Sequence, residues 1–341
     1  MSPNCRRTRR LAASEKKGGR TKASIAQPGL IEAVAEKVAD HTAGSPVDES
    51  LLWTNRSPQE IAEELAGDGF EVGPDIVRTI LTDDLHLGLR QAVKDEATCK
   101  FPQRDEQFQH IARLRKTFRA EGCPVLSIDT KKKELLGNFH RPGRAYTDGR
   151  VHVLDHDFIT HGDGRMTPYG VYDIDRNEGF MLLSNGPDTS QLACDAIWRW
   201  WQRLGKRRYA GAKRMLLLCD CGGSNGYRQW VFKEELHILA QDLGMTIRVA
   251  HYPPGCSKYN LIEHRMFCHV TRALRGVVLR TIDVAKQFIA LATTVTGLRV
   301  VAEVTQRLYA KGLRASAEFI DNMPIRFHRF LPDLNYAARP T

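Results

Sequence analysis

The chain has 341 residues, of which 42% are hydrophobic and 26% charged, and carries a formal net charge of +10. That length supports two or three domains, and the composition is that of a globular protein. No apolar run approaches the roughly 20 residues that span a bilayer, and the basic N-terminus lacks the apolar stretch of a secretory signal. The positive excess points to an anionic partner, nucleic acid first. It is unevenly placed. Arg6, Arg7, Arg9, Arg10, Lys16, Lys17, Arg20 and Lys22 against Glu15 put +7 into residues 1–26. The eight cysteines include no CxxC pair, so free thiols in a reducing, cytoplasmic setting are expected rather than a zinc ribbon or disulfides.

Residues 1–28 are polar and basic and read as a disordered arm. Leu30, Ile31, Val34 and Val38 recur at helical spacing and predict a first helix over 29–43. Residues 44–57, with Pro46, Asp48 and Ser50, read as a connection. Ser57 followed by Pro58 and Glu60 is a capping box with proline at the first helical position. After Gly67, Asp68 and Gly69, a second helix follows Gly73-Pro74. Two short helices about a glycine turn fit a helix-turn-helix, whose second helix would carry Arg78 to DNA. A plain helical hairpin fits the same pattern. Residues 103–121 form an amphipathic helix and close a helical DNA-binding region over 29–121.

The second half changes character. Short strands are expected at 125–128, 134–139, 169–175 and 179–184. A helix then leads to a strand at 215–219, and another helix to a strand at 246–250. A further helix starts near Lys258. This is the order of an α/β, ribonuclease-H-like core, a mixed five-stranded sheet with helices whose first and fourth strands are neighbours. It is assigned to residues 122–300, with 301–341 as a C-terminal extension.

Asp129 and Asp220 each follow directly on one of those strands. Active sites of open α/β sheets lie outside the carboxyl ends of adjacent strands. Two carboxylates there repel unless a cation neutralises them, and hard oxygen donors favour Mg²⁺ or Mn²⁺. Glu263 offers a third acid. Ser257 is expected to cap its helix, with Asn260 and Glu263 on one face. A surface glutamate is the plain alternative.

These residues lie in motifs longer than single acids. Ser127-Ile128-Asp129-Thr130-Lys131-Lys132-Lys133-Glu134 resembles the first-aspartate motif of the Rhodopirellula-type DDE transposases of bacterial insertion sequences. Cys219-Asp220-Cys221-Gly222-Gly223-Ser224-Asn225-Gly226 resembles their second motif, and Tyr252 to Phe267 their glutamate motif. Tyr169 to Asp173 and Trp198 to Trp201 follow the same pattern. The step from Asn260 to Glu263 is shared with mariner-like transposases. The resemblance implies DNA transposition with Asp129, Asp220 and Glu263 holding two Mg²⁺ or Mn²⁺ ions. It also implies double-stranded DNA with terminal inverted repeats and target DNA as partners, and a homodimer or higher oligomer on DNA. Cys221 departs from the family's usual glycine. Family members usually carry a further helix-turn-helix upstream, so a shortened copy is expected, and a catalytically silent DNA-binding remnant is the alternative.

Lys131, Lys132, Lys133, Asn260 and His264 are candidate DNA contacts beside the acids. The glycine run 222–226 lacks the Lys-Ser/Thr of a nucleotide loop and is read as a close turn. The cluster His152, Asp155, His156, Asp157, His161 and Asp163 lacks cysteine, which disfavours structural zinc.

Overall fold

The computed structural model describes residues 23–39, 42–44, 52–90, 101–156 and 158–340. The basic arm up to Lys22, the stretch with Pro46, Asp48 and Ser50, Cys5, Cys99 and Asp157 lie outside the described residues. The chain divides into two units, Met1–Asp95 and Glu96–Thr341.

The first unit holds α1 (Ala23–Ala26), α2 (Leu30–Ala39), α3 (Pro58–Gly67) and α4 (Pro74–Thr79). A π-helical turn, Ile80–Asp84, continues α4. The capping box forms as read: Ser57 Oγ accepts from the Glu60 amide at 3.3 Å, and the Glu60 carboxylate accepts from the Ser57 amide at 2.8 Å. Helical periodicity sends Leu30, Val34, Ile61, Leu65, Val77 and Ile80 into one buried cluster. The expected connection over 44–57 instead contributes to a small hairpin, β1 (Thr42–Gly44) antiparallel to β2 (Leu52–Thr54).

In the second unit come α5 (Arg104–Ala120), β3 (Val125–Thr130), β4 (Glu134–Leu136), β5 (Gly164–Asp173), β6 (Glu178–Ser184), α6 (Ser190–Trp200) and α7 (Lys206–Arg208). These are followed by β7 (Arg214–Cys219), α8 (Trp230–Leu243), β8 (Thr246–His251), α9 (Cys268–Ala273), α10 (Ile282–Ala290), β9 (Arg299–Val304), α11 (Ala317–Asn322), β10 (Ile325–Phe327) and β11 (Asn335–Ala338). One sheet runs β10-β11-β8-β7-β3-β5-β6-β9, with β4 on β5. Its centre, β6-β5-β3-β7-β8, is the expected ribonuclease-H-like set. β3, the first of the five, lies parallel to β7, the fourth, with Ser127 opposite Leu218.

The sheet is wider than the five strands expected from sequence. β9 pairs parallel to β6, and β11 and β10 extend the other edge beyond β8. The segment expected as a C-terminal extension, 301–341, therefore supplies strands to the sheet rather than an appendage to it. Asn335-Tyr336-Ala337-Ala338 is buried throughout, yet two alanines give it little strand propensity. Helix α5 also belongs here and not with the helices before it. Its Ile111 and Phe118 share a core with Val125 and Leu216. Its buried Gln107 donates to the His251 carbonyl at 2.8 Å and to Asn335 Oδ1 at 3.1 Å.

Candidate active site

Parallel pairing of β3 with β7 brings the strand ends out side by side. Asp129 occupies the last turn of the pleat on β3, and Asp220 is the residue after β7. Both are half-buried. The Thr130 amide donates to Asp129 Oδ1 at 2.7 Å, and the Gly222 amide donates to Asp220 Oδ1 at 3.2 Å.

Glu263 reaches the same place by a different route from the one expected. Ser257–Tyr259 forms an isolated 3-10 turn, and Asn260 is extended, with φ −66° and ψ 116°. The helix begins only after Asn260, so Ser257 does not cap it and Asn260 and Glu263 share no helical face. Glu263 instead opens a π-helical turn, Glu263–Phe267, that runs into α9. Two glycines let this segment lie on the sheet. A Cβ on Gly170, the partner of Asp129 in β5, would sit 2.5 Å from the Phe267 ring. One on Gly179 of β6 would strike the Met266 sulfur.

Asn260 joins these elements. It is fully buried. Its Oδ1 accepts from Ser127 Oγ at 2.5 Å, and its Nδ2 donates to the Ile128 carbonyl and to Asp129 Oδ2, each at 3.2 Å. Ser127 Oγ in turn accepts from the Ile262 amide at 3.0 Å. Asn260 is thus spent inside the fold and does not present itself to DNA.

The carboxylates oppose one another. Burial foremost, then the charge of Asp220 and more weakly that of Glu263, pushes the Asp129 carboxyl up to about 8. Burial is also the main cause of the upward shifts of Asp220 and Glu263. A fourth acid contributes. Asp188, just before α6, accepts from Thr130 Oγ1 at 2.9 Å, and its charge raises Asp220 further. Sequence reasoning passed over Asp188, which lies where a helix is expected to begin. The cap is in fact Thr189, whose side chain accepts from the Leu192 amide at 3.2 Å.

His251 was also missed. Burial lowers its pKa to about 4, so its ring is neutral. Its Nδ1 lies 2.7 Å from the Asp220 carbonyl, which can only accept, so Nδ1 carries the proton. Nε2 then accepts from the Tyr336 hydroxyl at 3.1 Å. Cys221 donates its thiol to the Tyr252 carbonyl at 3.0 Å.

The basic candidates separate. Lys131 is buried and ion-paired with Glu134, which Arg141 also holds at 2.7 Å. Its charge also draws Glu263 downward. Lys132 and Lys133 are exposed. His264 is exposed beside Glu263, its ring against the Lys258 carbonyl. Arg78 lies in the first unit and pairs with Asp75 at 2.6 Å. Among the described residues no three acid, histidine or cysteine side chains are drawn together as closely as one bound ion requires. The six described cysteines are free thiols, and no described helix is long and apolar enough to cross a membrane.

Among solved structures, the chain is similar to a Mos1 transposase paired-end complex with left transposon end, at 12% identity over 81% of this chain and 73% of that one, with a TM-score of 0.40. It is also similar to a Mos1 mariner paired end complex with Mn, at 10% identity over 82% and 74%, with a TM-score of 0.42. No curated protein sequence matches it. Residues 33–340 match the Rhodopirellula transposase DDE domain, and the chain belongs to that family.

Proposed function

We propose that this chain cuts the ends of its insertion sequence and joins them to target DNA by phosphoryl transfer. Asp129, Asp220 and Glu263 are the groups that would hold two Mg²⁺ or Mn²⁺ ions. The observation that carries this reading is the convergence of the three acids, with Asp129 driven up to about 8 by burial and by its two acidic neighbours. Such a donor set consists only of hard oxygens and carries uncompensated repulsion, which suits a divalent cation. When bound, the ions supply an activated attacking oxygen and stabilise the leaving one.

The chain's own residues do the rest. Asn260 fixes the orientation of Asp129 and ties β3 to the Glu263 segment. His251 holds the backbone of Asp220. Lys131 limits the charge near Glu263, and exposed Lys132 and Lys133 are placed to meet DNA phosphates next to the cut. The first unit, with α3 and α4, is the part proposed to read the inverted repeats.

The test is Asp129→Asn against a duplex carrying the element's ends. Mg²⁺-dependent cleavage should disappear while DNA binding persists. Undiminished cleavage by the variant overturns the assignment. A wild-type chain that binds the ends but never cuts them identifies the silent remnant instead.

A further inference from the structure

Several arginines gather at one edge of the sheet. Along the widened edge of the sheet, Arg248 on β8 is in register with Ala337 on β11, and Ala337 is in register with Arg326 on β10. Residues in register across neighbouring strands project from the same face. Arg248 and Arg326 therefore flank Ala337 on one side of the sheet, about 10 Å apart at two strand spacings. Arg339 is two residues beyond Ala337 and falls on that face too. Ala337 is small, so a flat floor lies between the arginines.

One row nearer the acids the same face is covered. Asn335 is opposite Ala250 and is bound by Gln107 of α5. Next along α5, the His110 ring lies 4.8 Å from the His328 ring and 5.6 Å from that of Phe330. The arginine row is not covered in this way. Arg113, Arg326 and Arg339 are exposed, and Arg248 is partly so.

No described carboxylate forms an ion pair with Arg113, Arg248, Arg326 or Arg339. The buried Nε of Arg248 and Nε2 of His110 have no hydrogen-bond partner. The cations also burden one another. Besides burial, Arg326 and Arg339 lower the Arg248 pKa, and His328, Arg248 and Arg113 lower that of His110. A fold that keeps like charges together without acids holds a surface suited to an anion that is absent when the chain is alone.

We propose that the face formed by Arg248, Arg326 and Arg339 binds the phosphate backbone of duplex DNA, as a second contact surface apart from the acidic site. Planar guanidinium forks suit phosphate oxygens. Three of them spread over an open sheet face match an extended polyanion better than a single small ion. This rests on the DNA reading above and adds to it where the grip lies. It also gives a body with little net charge a local place to hold DNA: these arginines share one stretch of the sheet edge and form no ion pair with a described carboxylate.

The test is binding of a short duplex in EDTA, so that no cleavage is needed. Arg326→Gln with Arg339→Gln changes only exposed side chains. Each lost phosphate contact lowers the slope of log affinity against log salt by about 0.9. The double variant should therefore lose about 2 in slope and roughly tenfold in affinity at moderate salt. Lys286→Gln with Lys311→Gln removes the same charge elsewhere and should leave the slope nearly unchanged. Arg326→Glu should weaken DNA binding while raising the melting temperature of the free protein, a pairing that a structural role does not produce. Equal slopes for both double variants, or an unchanged slope for the arginine pair, overturn the proposal. Failure of the wild-type chain to bind any duplex overturns the DNA reading itself.

Discussion

Asn260 and Asp129 are joined directly: the side-chain amide of the first donates to the carboxylate of the second at 3.2 Å, from a fully buried position. The same amide group holds Ser127 and Ile128. Asn260→Ala would leave the Ser127 hydroxyl without its acceptor and Asp129 Oδ2 without its donor. The expected loss is about 1–3 kcal/mol of stability. Single-turnover cleavage should fall further than DNA affinity. Thermal unfolding and a binding isotherm on the same preparation check both parts, and unaltered stability counts against the joint.

Asp188 adds negative charge to a site already rich in it. Replacing it with Asn should relieve Asp220 and stabilise the metal-free protein by less than about 1 kcal/mol, since the group is partly exposed. The stabilisation gained on adding Mg²⁺ should shrink. Melting curves with EDTA and with excess Mg²⁺ measure this difference, and a Mg²⁺ effect as large as wild type argues against any role for Asp188.

Gly170 and Gly179 make room for Phe267 and Met266. Gly170→Ala places a methyl group 2.5 Å from the Phe267 ring and should cost about 1–3 kcal/mol by overpacking. Gly179→Ala should cost less, because the Met266 thioether can swing aside. If displacement of the Glu263 segment is the cause, Phe267→Leu should recover part of the activity lost in Gly170→Ala. Loss of stability without any such recovery assigns the effect to β5 alone.

His110 gives the fold an acid-sensitive joint. Burial first, then His328, Arg248 and Arg113, lower its pKa from 6.5 to about 4. Between those values the unfolded chain binds a proton that the folded chain does not. Stability from this group is therefore complete above about pH 6.5 and is lost as pH falls toward about 4. His110→Phe should flatten that acid limb of the stability curve. Urea titrations at about pH 7 and about pH 5 give the comparison, and an unchanged difference between them excludes His110 as the source.

Much of the centre was legible in the chain. Asp129 and Asp220 were found because each ends a run of buried strand residues, and the α3 cap because its residue types have one common use. The Glu263 segment was misread in detail. Ser257 resembles a cap, but Asn260 is drawn out of the helix by hydrogen bonds to β3, residues more than a hundred positions earlier. Lys131 reads like its two neighbours, yet it is buried and drawn inward to Glu134. Asp188, His251 and the arginine row have meaning only through pairing across strands, which no local pattern reports. Helix α5 looked like the close of the helical region because amphipathicity reveals that a face is buried, not against what.

The support of Asp220 has an order in time as well as in space. The neutral His251 that holds its carbonyl is itself held by Tyr336, on a strand made long after the acid has left the ribosomal tunnel. While β11 is missing, the β8 edge is open and His251 lacks that hydroxyl. The final orientation of Asp220 therefore waits on synthesis of the edge strand, and the acidic site matures among the last parts of the sheet to close.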